Sequence, residues 1–183
     1  SPPPPPPPPP YNPAKYFVHD GCLGTNGLTS IPPPCVDDDK TGMTTAEVAN
    51  VDMVANNNFP DPFTTLGNRF AIRCCVDTAA VDGGPVTTTC KSRRARTTAE
   101  VNAGLAATNG ALCYNGDVEK DDADNLERKS WAQAEAICEA DGARLCTIEE
   151  LAMNMCCSTG CGYDSYLLWT TTQCNRPPAA PPL

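Results

Sequence analysis

Histidine occurs once in this chain of 183 residues, at His19 beside Asp20. With a single imidazole, no glycine-rich phosphate loop and no metalloprotease helix, the sequence assembles no catalytic constellation, and a non-enzymatic protein without cofactor is expected. Basic residues are scarce as well, 13 against 22 acidic ones, for a net charge of −9. That balance excludes nucleic acid and anionic membrane surfaces as partners, because both demand a basic face. No apolar run approaches the roughly 18 residues of a membrane span. Aromatic residues are only 6% of the chain, and no Asn-x-Ser/Thr sequon occurs, so any glycan would be O-linked. The start at Ser1, without Met or a charged-then-apolar leader, reads as a mature product or a fragment.

Two residue types are abundant. There are 20 prolines, and most lie at the ends: Pro2 to Pro10 and Pro13 at one, Pro177, Pro178, Pro181 and Pro182 at the other. Nine consecutive prolines have no backbone donor and a fixed φ, so they form a polyproline II rod of roughly 28 Å and join neither helix nor sheet. Tyr11, Tyr16 and Phe17 follow and are placed to anchor its base. The expected organisation is an arm over 1–13, a globular region over 14–174 and a proline-rich tail over 175–183.

The second abundant type is cysteine, with 12 residues: Cys22, Cys35, Cys74, Cys75, Cys90, Cys113, Cys138, Cys146, Cys156, Cys157, Cys161 and Cys174. An even, dispersed set with almost no histidine reads as six disulfides made in an oxidising, extracellular compartment. Zinc is the competing reading for Cys156, Cys157 and Cys161, but no second knuckle pairs with them. Connectivity stays open at this point, since 12 cysteines allow about ten thousand pairings. Side chains of neighbouring strand residues point to opposite faces. Cys74 and Cys75 should therefore bond to different partners, as should Cys156 and Cys157.

Four capping boxes mark helix starts. They begin at Thr44, Thr97, Ser130 and Thr147, with Glu47, Glu100, Gln133 and Glu150 three residues on. The predicted helices run to about Asn56, Thr108, Ala140 and Met155, with Gly142 as the stop of the third. The first two share the string TTAEV, which either a decayed duplication or convergence on good caps explains. Strands are predicted at 69–75, 143–146 and 167–171, and a weaker one at 87–89; residues 20–62 read mostly as loop. The fold class is a small, disulfide-rich and loop-rich α+β domain with polyproline arms at both ends.

Ser1 followed by a proline run resembles the Ser-Pro repeats of extensins, pherophorins and other hydroxyproline-rich glycoproteins of plant and algal walls. The resemblance implies hydroxylation and O-glycosylation at Ser1, Pro2, Pro3, Pro4, Pro5, Pro6, Pro7, Pro8, Pro9 and Pro10. A second resemblance spans Cys113 to Cys174. The string Trp131-x-x-Ala134-x-x-x-Cys138, then Gly142-Ala143-Arg144-Leu145, resembles the first helix and following strand of a C-type-lectin-like domain, and Cys113-Tyr114 its opening. The part from 110 to 174 is thus expected to be lectin-like, in a cysteine-rich form similar to secreted algal and protist proteins, whose upstream R-C-C segment matches Arg73-Cys74-Cys75. The resemblance implies a Cys138–Cys174 disulfide, while helical spacing itself puts Trp131, Ala134 and Cys138 on one face, with Leu145 packing beside them after the turn. The calcium-dependent sugar motifs of that family are missing, and the stretch from Cys138 to Cys174 is too short for its long loop.

Other charged runs read as solvated. Asp117, Asp121 and Asp124 offer oxygen ligands that calcium would accept, but they lack the glycine and glutamate of an EF-hand, and a surface loop is the favoured reading. Asp37, Asp38 and Asp39 are read in the same way. Lys91 to Arg96 carries four basic residues and reads as a solvated loop, with a subunit contact as the alternative. The expected function is that of a structural subunit of an extracellular glycoprotein fibril, wall or appendage. Its partners would be other copies of itself, whose proline arms dock in a groove of tyrosines and polar side chains, and its modifications O-glycans. The alternative is a carbohydrate- or protein-binding module on a proline stalk, working through a face near Tyr163 and Trp169.

Overall fold

The structure, a computed structural model, describes residues 13–22, 28–30, 33–44, 46–47, 53–55, 69–79, 84–104, 111–116 and 126–174. Both proline-rich ends and the acidic cluster of Asp117, Asp121 and Asp124 lie outside these. The element order is β1 (Lys15–Asp20), β2 (Leu28–Ser30), β3 (Cys35–Asp37), β4 (Met53–Ala55), β5 (Cys74–Thr78), β6 (Thr87–Lys91), β7 (Arg93–Ala95), α1 (Thr98–Asn102), β8 (Ala111–Cys113), α2 (Trp131–Ala140), β9 (Arg144–Leu145), α3 (Ile148–Ala152), a 3-10 turn (Tyr163–Ser165) and β10 (Leu167–Gln173). Among the described residues the strands form four small sheets, ordered β10-β1-β3, β2-β4, β6-β5-β9 and β7-β8. The domain is mixed α+β, small and disulfide-rich, and no helix among the described residues is long and apolar enough to cross a membrane.

Strand alternation divides the interior into two apolar clusters. Phe70, Ile72, Cys74, Leu167 and Trp169 face one, with Tyr16, Val18, Ala134, Cys138 and Leu145. Ala71, Cys75 and Leu168 face the other, with Leu126, Leu151, Cys156, Cys161, Tyr163 and Tyr166. The run 69–75 is thus buried on both sides, but only Cys74 onward joins a ladder; Ala71 makes a single parallel bridge to Leu168. Trp131, Ala134 and Cys138 do pack on one face beside Leu145, and Trp169 meets Phe70 edge-on at 4.6 Å.

Capping boxes close at three of the four expected sites with full reciprocity. Thr44, Thr97 and Thr147 each accept from the glutamate amide three residues on, and each glutamate accepts from the cap amide. At the fourth, the Ser130 amide donates to Gln133 Oε1 at 3.0 Å. Helix lengths differ from the sequence reading. Met53–Ala55 is a strand rather than the end of a helix to Asn56, α1 stops at Asn102, and α3 stops at Ala152. Gly104 and Gly142 follow α1 and α2 with φ near +68° and +67°, the left-handed conformation that ends a helix. Within 20–62, read mostly as loop, the short strands β2, β3 and β4 form.

All 12 cysteines are paired: Cys22–Cys157, Cys35–Cys174, Cys74–Cys138, Cys75–Cys146, Cys90–Cys156 and Cys113–Cys161. Neighbouring cysteines take different partners, because Cys74 and Cys75 enter opposite clusters. The Cys138–Cys174 pairing is overturned. Helix α2 is tied to β5 instead, and the end of β10 is tied to β3, which sits two strands away in the same sheet. Such a framework is what an oxidising compartment maintains.

The arginine of the R-C-C segment is an internal clamp. Arg73 is fully buried, donating from Nε to Ser92 Oγ at 3.0 Å and from Nη1 to the Gly21 carbonyl at 2.6 Å, and pairing through Nη2 with Asp164. Burial lowers its pKa and the Asp164 carboxylate opposes that shift; a guanidinium stays charged regardless. One side chain therefore joins the segment after β1, the β6–β7 link and the 3-10 turn. Gly21 is required there, since a Cβ would lie 2.2 Å from the Tyr163 carbonyl oxygen.

Candidate functional site

Strand β1 begins five residues after the proline run that ends at Pro10 and lies at the centre of its sheet, between β10 and β3. Its register places Tyr16 opposite Gln173 on one side and Val36 on the other. Directly opposed residues share a face, so Gln173, Tyr16 and Val36 form one row across three strands. Tyr16 is stacked on Trp131, the first residue of α2, with ring centroids 3.9 Å apart and planes 8° from parallel. The Trp131 indole N–H donates to the Thr170 carbonyl at 2.8 Å, which fixes the ring against β10.

Beside this stack lies an open groove of about 430 Å³ lined by Tyr16, Trp131, Glu135, Thr171, Thr172 and Gln173. Gln173 Nε2 donates to the Tyr16 hydroxyl at 3.2 Å, leaving the phenol hydrogen without an acceptor among the described residues. Burial, then the neighbouring Glu139, raises the pKa of Glu135. A second hollow of about 350 Å³, lined by Pro34, Cys35, Val36, Asp37, Lys40, Met43 and Glu47, continues the row past β3. The first hollow, floored by the Tyr16–Trp131 stack and edged by polar side chains, is the track; Val36, opposed to Tyr16 across the sheet, lines the second.

Of the residues singled out from sequence, Tyr16, Trp131, Cys35, Asp37 and Glu47 line these hollows, and the others fall elsewhere. Tyr163 and Trp169 are fully buried, so neither offers a sugar-binding face. His19 is buried within β1, at 6% exposure. The Lys91–Arg96 run is not a solvated loop. Arg93–Ala95 is β7, Ser92 is buried, and Arg94 makes a two-pronged contact to Glu100 at 2.8 and 2.6 Å. Asp37 pairs with Lys15 at 3.3 Å across β1 and β3. Cys161, weighed for zinc, is bonded to Cys113; Cys156 and Cys157 are bonded to Cys90 and Cys22. The track was not read from sequence because its residues come from three separate segments. The one local signal was the nearness of Tyr16 to the arm. Compared with known protein families, curated proteins and solved structures, the chain matches none.

Proposed function

We propose that the chain is a structural subunit of an extracellular fibril, wall or surface appendage, and that it assembles by seating the polyproline arm of one copy in the Tyr16–Trp131 track of the next. The observation that carries this reading is the presence, in one chain, of a run of nine prolines and an aromatic groove. A polyproline helix is already extended and fixed in φ, so docking costs little conformational entropy, and aromatic-lined grooves are its usual receptors. Its carbonyls accept hydrogen bonds from hydroxyl and amide donors such as those of Tyr16, Thr171 and Gln173.

Geometry favours a second copy as the source of the arm. Pro10 is separated from Tyr16 by five residues, and a rod about 28 Å long does not bend. A five-residue link leaves little chain for the same copy's arm to turn back onto a groove that begins at Tyr16. A contact between the arm of one copy and the groove of another is heterologous and builds an open filament. The resemblance to hydroxyproline-rich glycoproteins adds hydroxylation and O-glycans on the arm, and the lectin-like resemblance supplies the scaffold that presents the groove.

The test is removal of residues 1–10. The truncated protein should be folded, fully disulfide-bonded and monomeric, and a synthetic nine-proline peptide should bind it. Trp131→Phe and Gln173→Ala should each weaken the peptide without unfolding the domain. If the truncated protein assembles as the full chain does, the arm is a spacer and the proposal fails. Binding of an oligosaccharide in place of the peptide would move the binding-module reading ahead.

A further inference from the structure

Two of the six disulfides lie against each other. Cys75–Cys146 and Cys90–Cys156 place their four sulfurs within 4.8 Å of one another, and this is the one such cluster among the described residues. Cys146 Sγ is 3.7 Å from Cys156 Sγ and 3.9 Å from Cys90 Sγ. Cys75, Cys146 and Cys156 are fully buried, whereas Cys90 is half-buried and offers the entry. Cys75 and Cys90 are also directly opposed in the β5–β6 ladder, so their Cα atoms stand at a separation a disulfide can bridge.

We propose that this cluster is a thiol–disulfide exchange site, taking a small-molecule thiol and interconverting the observed pairing with Cys75–Cys90 plus Cys146–Cys156. An incoming thiolate attacks Cys90 Sγ, forming a mixed disulfide while the Cys90–Cys156 bond breaks and its electron pair leaves on Cys156. The Cys156 thiolate attacks Cys146 Sγ beside it; that bond forms, the Cys75–Cys146 bond breaks, and Cys75 leaves as the thiolate. Cys75 then attacks Cys90 Sγ across the ladder and expels the small thiol, which regains its proton. Two disulfides enter and two leave, with no net oxidation or reduction.

The other four bonds have no third sulfur within reach, so a thiol that opens one of them meets only the original partner on reclosing. The observed pairing ties β5 to β9 and β6 to the segment after α3. The exchanged pairing closes two local links instead, one within the β5–β6 hairpin and one across α3. The two halves of the second apolar cluster thereby lose two covalent ties.

The experiment incubates the native chain with a substoichiometric amount of isotope-labelled reduced glutathione, quenches with acid and alkylating agent, and maps linked peptides without reduction. Fragmentation between Cys74 and Cys75, and between Cys156 and Cys157, assigns each bond. Cys75–Cys90 and Cys146–Cys156 should appear together, with the other four pairings retained. In the Cys90→Ser, Cys156→Ser double variant, Cys75–Cys146 should become inert to the same thiol. The exposed Cys35 serves as internal control, since label on it shows that the thiol is active. Label at Cys35 with no new pairing in the cluster would overturn the proposal. So would scrambling across all six bonds, or a Cys75–Cys146 bond that exchanges equally fast in the double variant.

Discussion

Removing the Cys35–Cys174 bond with Cys35→Ala and Cys174→Ala should destabilise the domain by about 3.6 kcal/mol, less than its place in the sequence suggests. The bond joins residues 139 apart, and a loop of that length corresponds to about 5 kcal/mol of chain entropy at room temperature. Yet Cys22–Cys157 already holds the same two regions together in the unfolded chain. The shortest path from Cys35 to Cys174 runs back to Cys22, across the bond to Cys157, and on to Cys174. It contains about 30 residues, and the logarithm of that shorter loop gives the smaller figure. The assay is guanidinium unfolding followed by tryptophan emission, because both tryptophans, Trp131 and Trp169, pack in the cluster that this sheet covers. Binding of the nine-proline peptide should weaken in the same variant, since the bond pins the two edges of the Gln173–Tyr16–Val36 row. A loss near 5 kcal/mol would refute the shared-loop argument, and one below about 1 kcal/mol would refute the entropic account altogether.

Arg73→Met should cost about 3–5 kcal/mol, because it leaves the Asp164 carboxylate and the Gly21 carbonyl without their buried donor; the same denaturant assay reads it. Gly21→Ala should lower the melting temperature through backbone displacement, since the new methyl meets the Tyr163 carbonyl oxygen rather than a movable side chain. Hydrogen bonds from Lys40 and Thr44 hold Glu47 down to about 2, and those from Arg94 and Thr97 do the same for Glu100. A carboxyl depressed on folding contributes stability that is present above its ordinary pKa of 4.5 and is lost as pH falls towards 2. Melting temperature should accordingly fall through that window, and Glu100→Gln should fall less steeply; a parallel profile would show that these caps do not govern acid sensitivity.

What the sequence determined by itself was local chemistry. A hydroxyl followed three residues later by Glu or Gln is a local start signal, and helices α1, α2 and α3 start at Thr97, Ser130 and Thr147 as read, whereas the same spacing at Thr170 and Gln173 is overridden by strand pairing in β10. Cysteine number and the absence of histidine partners determined that all thiols pair, and strand alternation determined that Cys74 and Cys75 part company. Where helices end was less legible. Short caps such as the one at Thr97 have no apolar stripe behind them, and α1 buries no residue, so nothing prolongs it. Strand β1 was hidden because Lys15–Asp20 gains its strand character from β10, some 150 residues later, through pairs such as Val18 with Trp169. Disulfide partners are long-range contacts of the same kind, and the family likeness that suggested Cys138–Cys174 carried no information about which strands this chain puts beside α2. The groove is the clearest case. Tyr16 and Trp131 are 115 positions apart, and only the tertiary structure, by laying α2 against the β10-β1-β3 sheet, stacks their rings and opens a track between them.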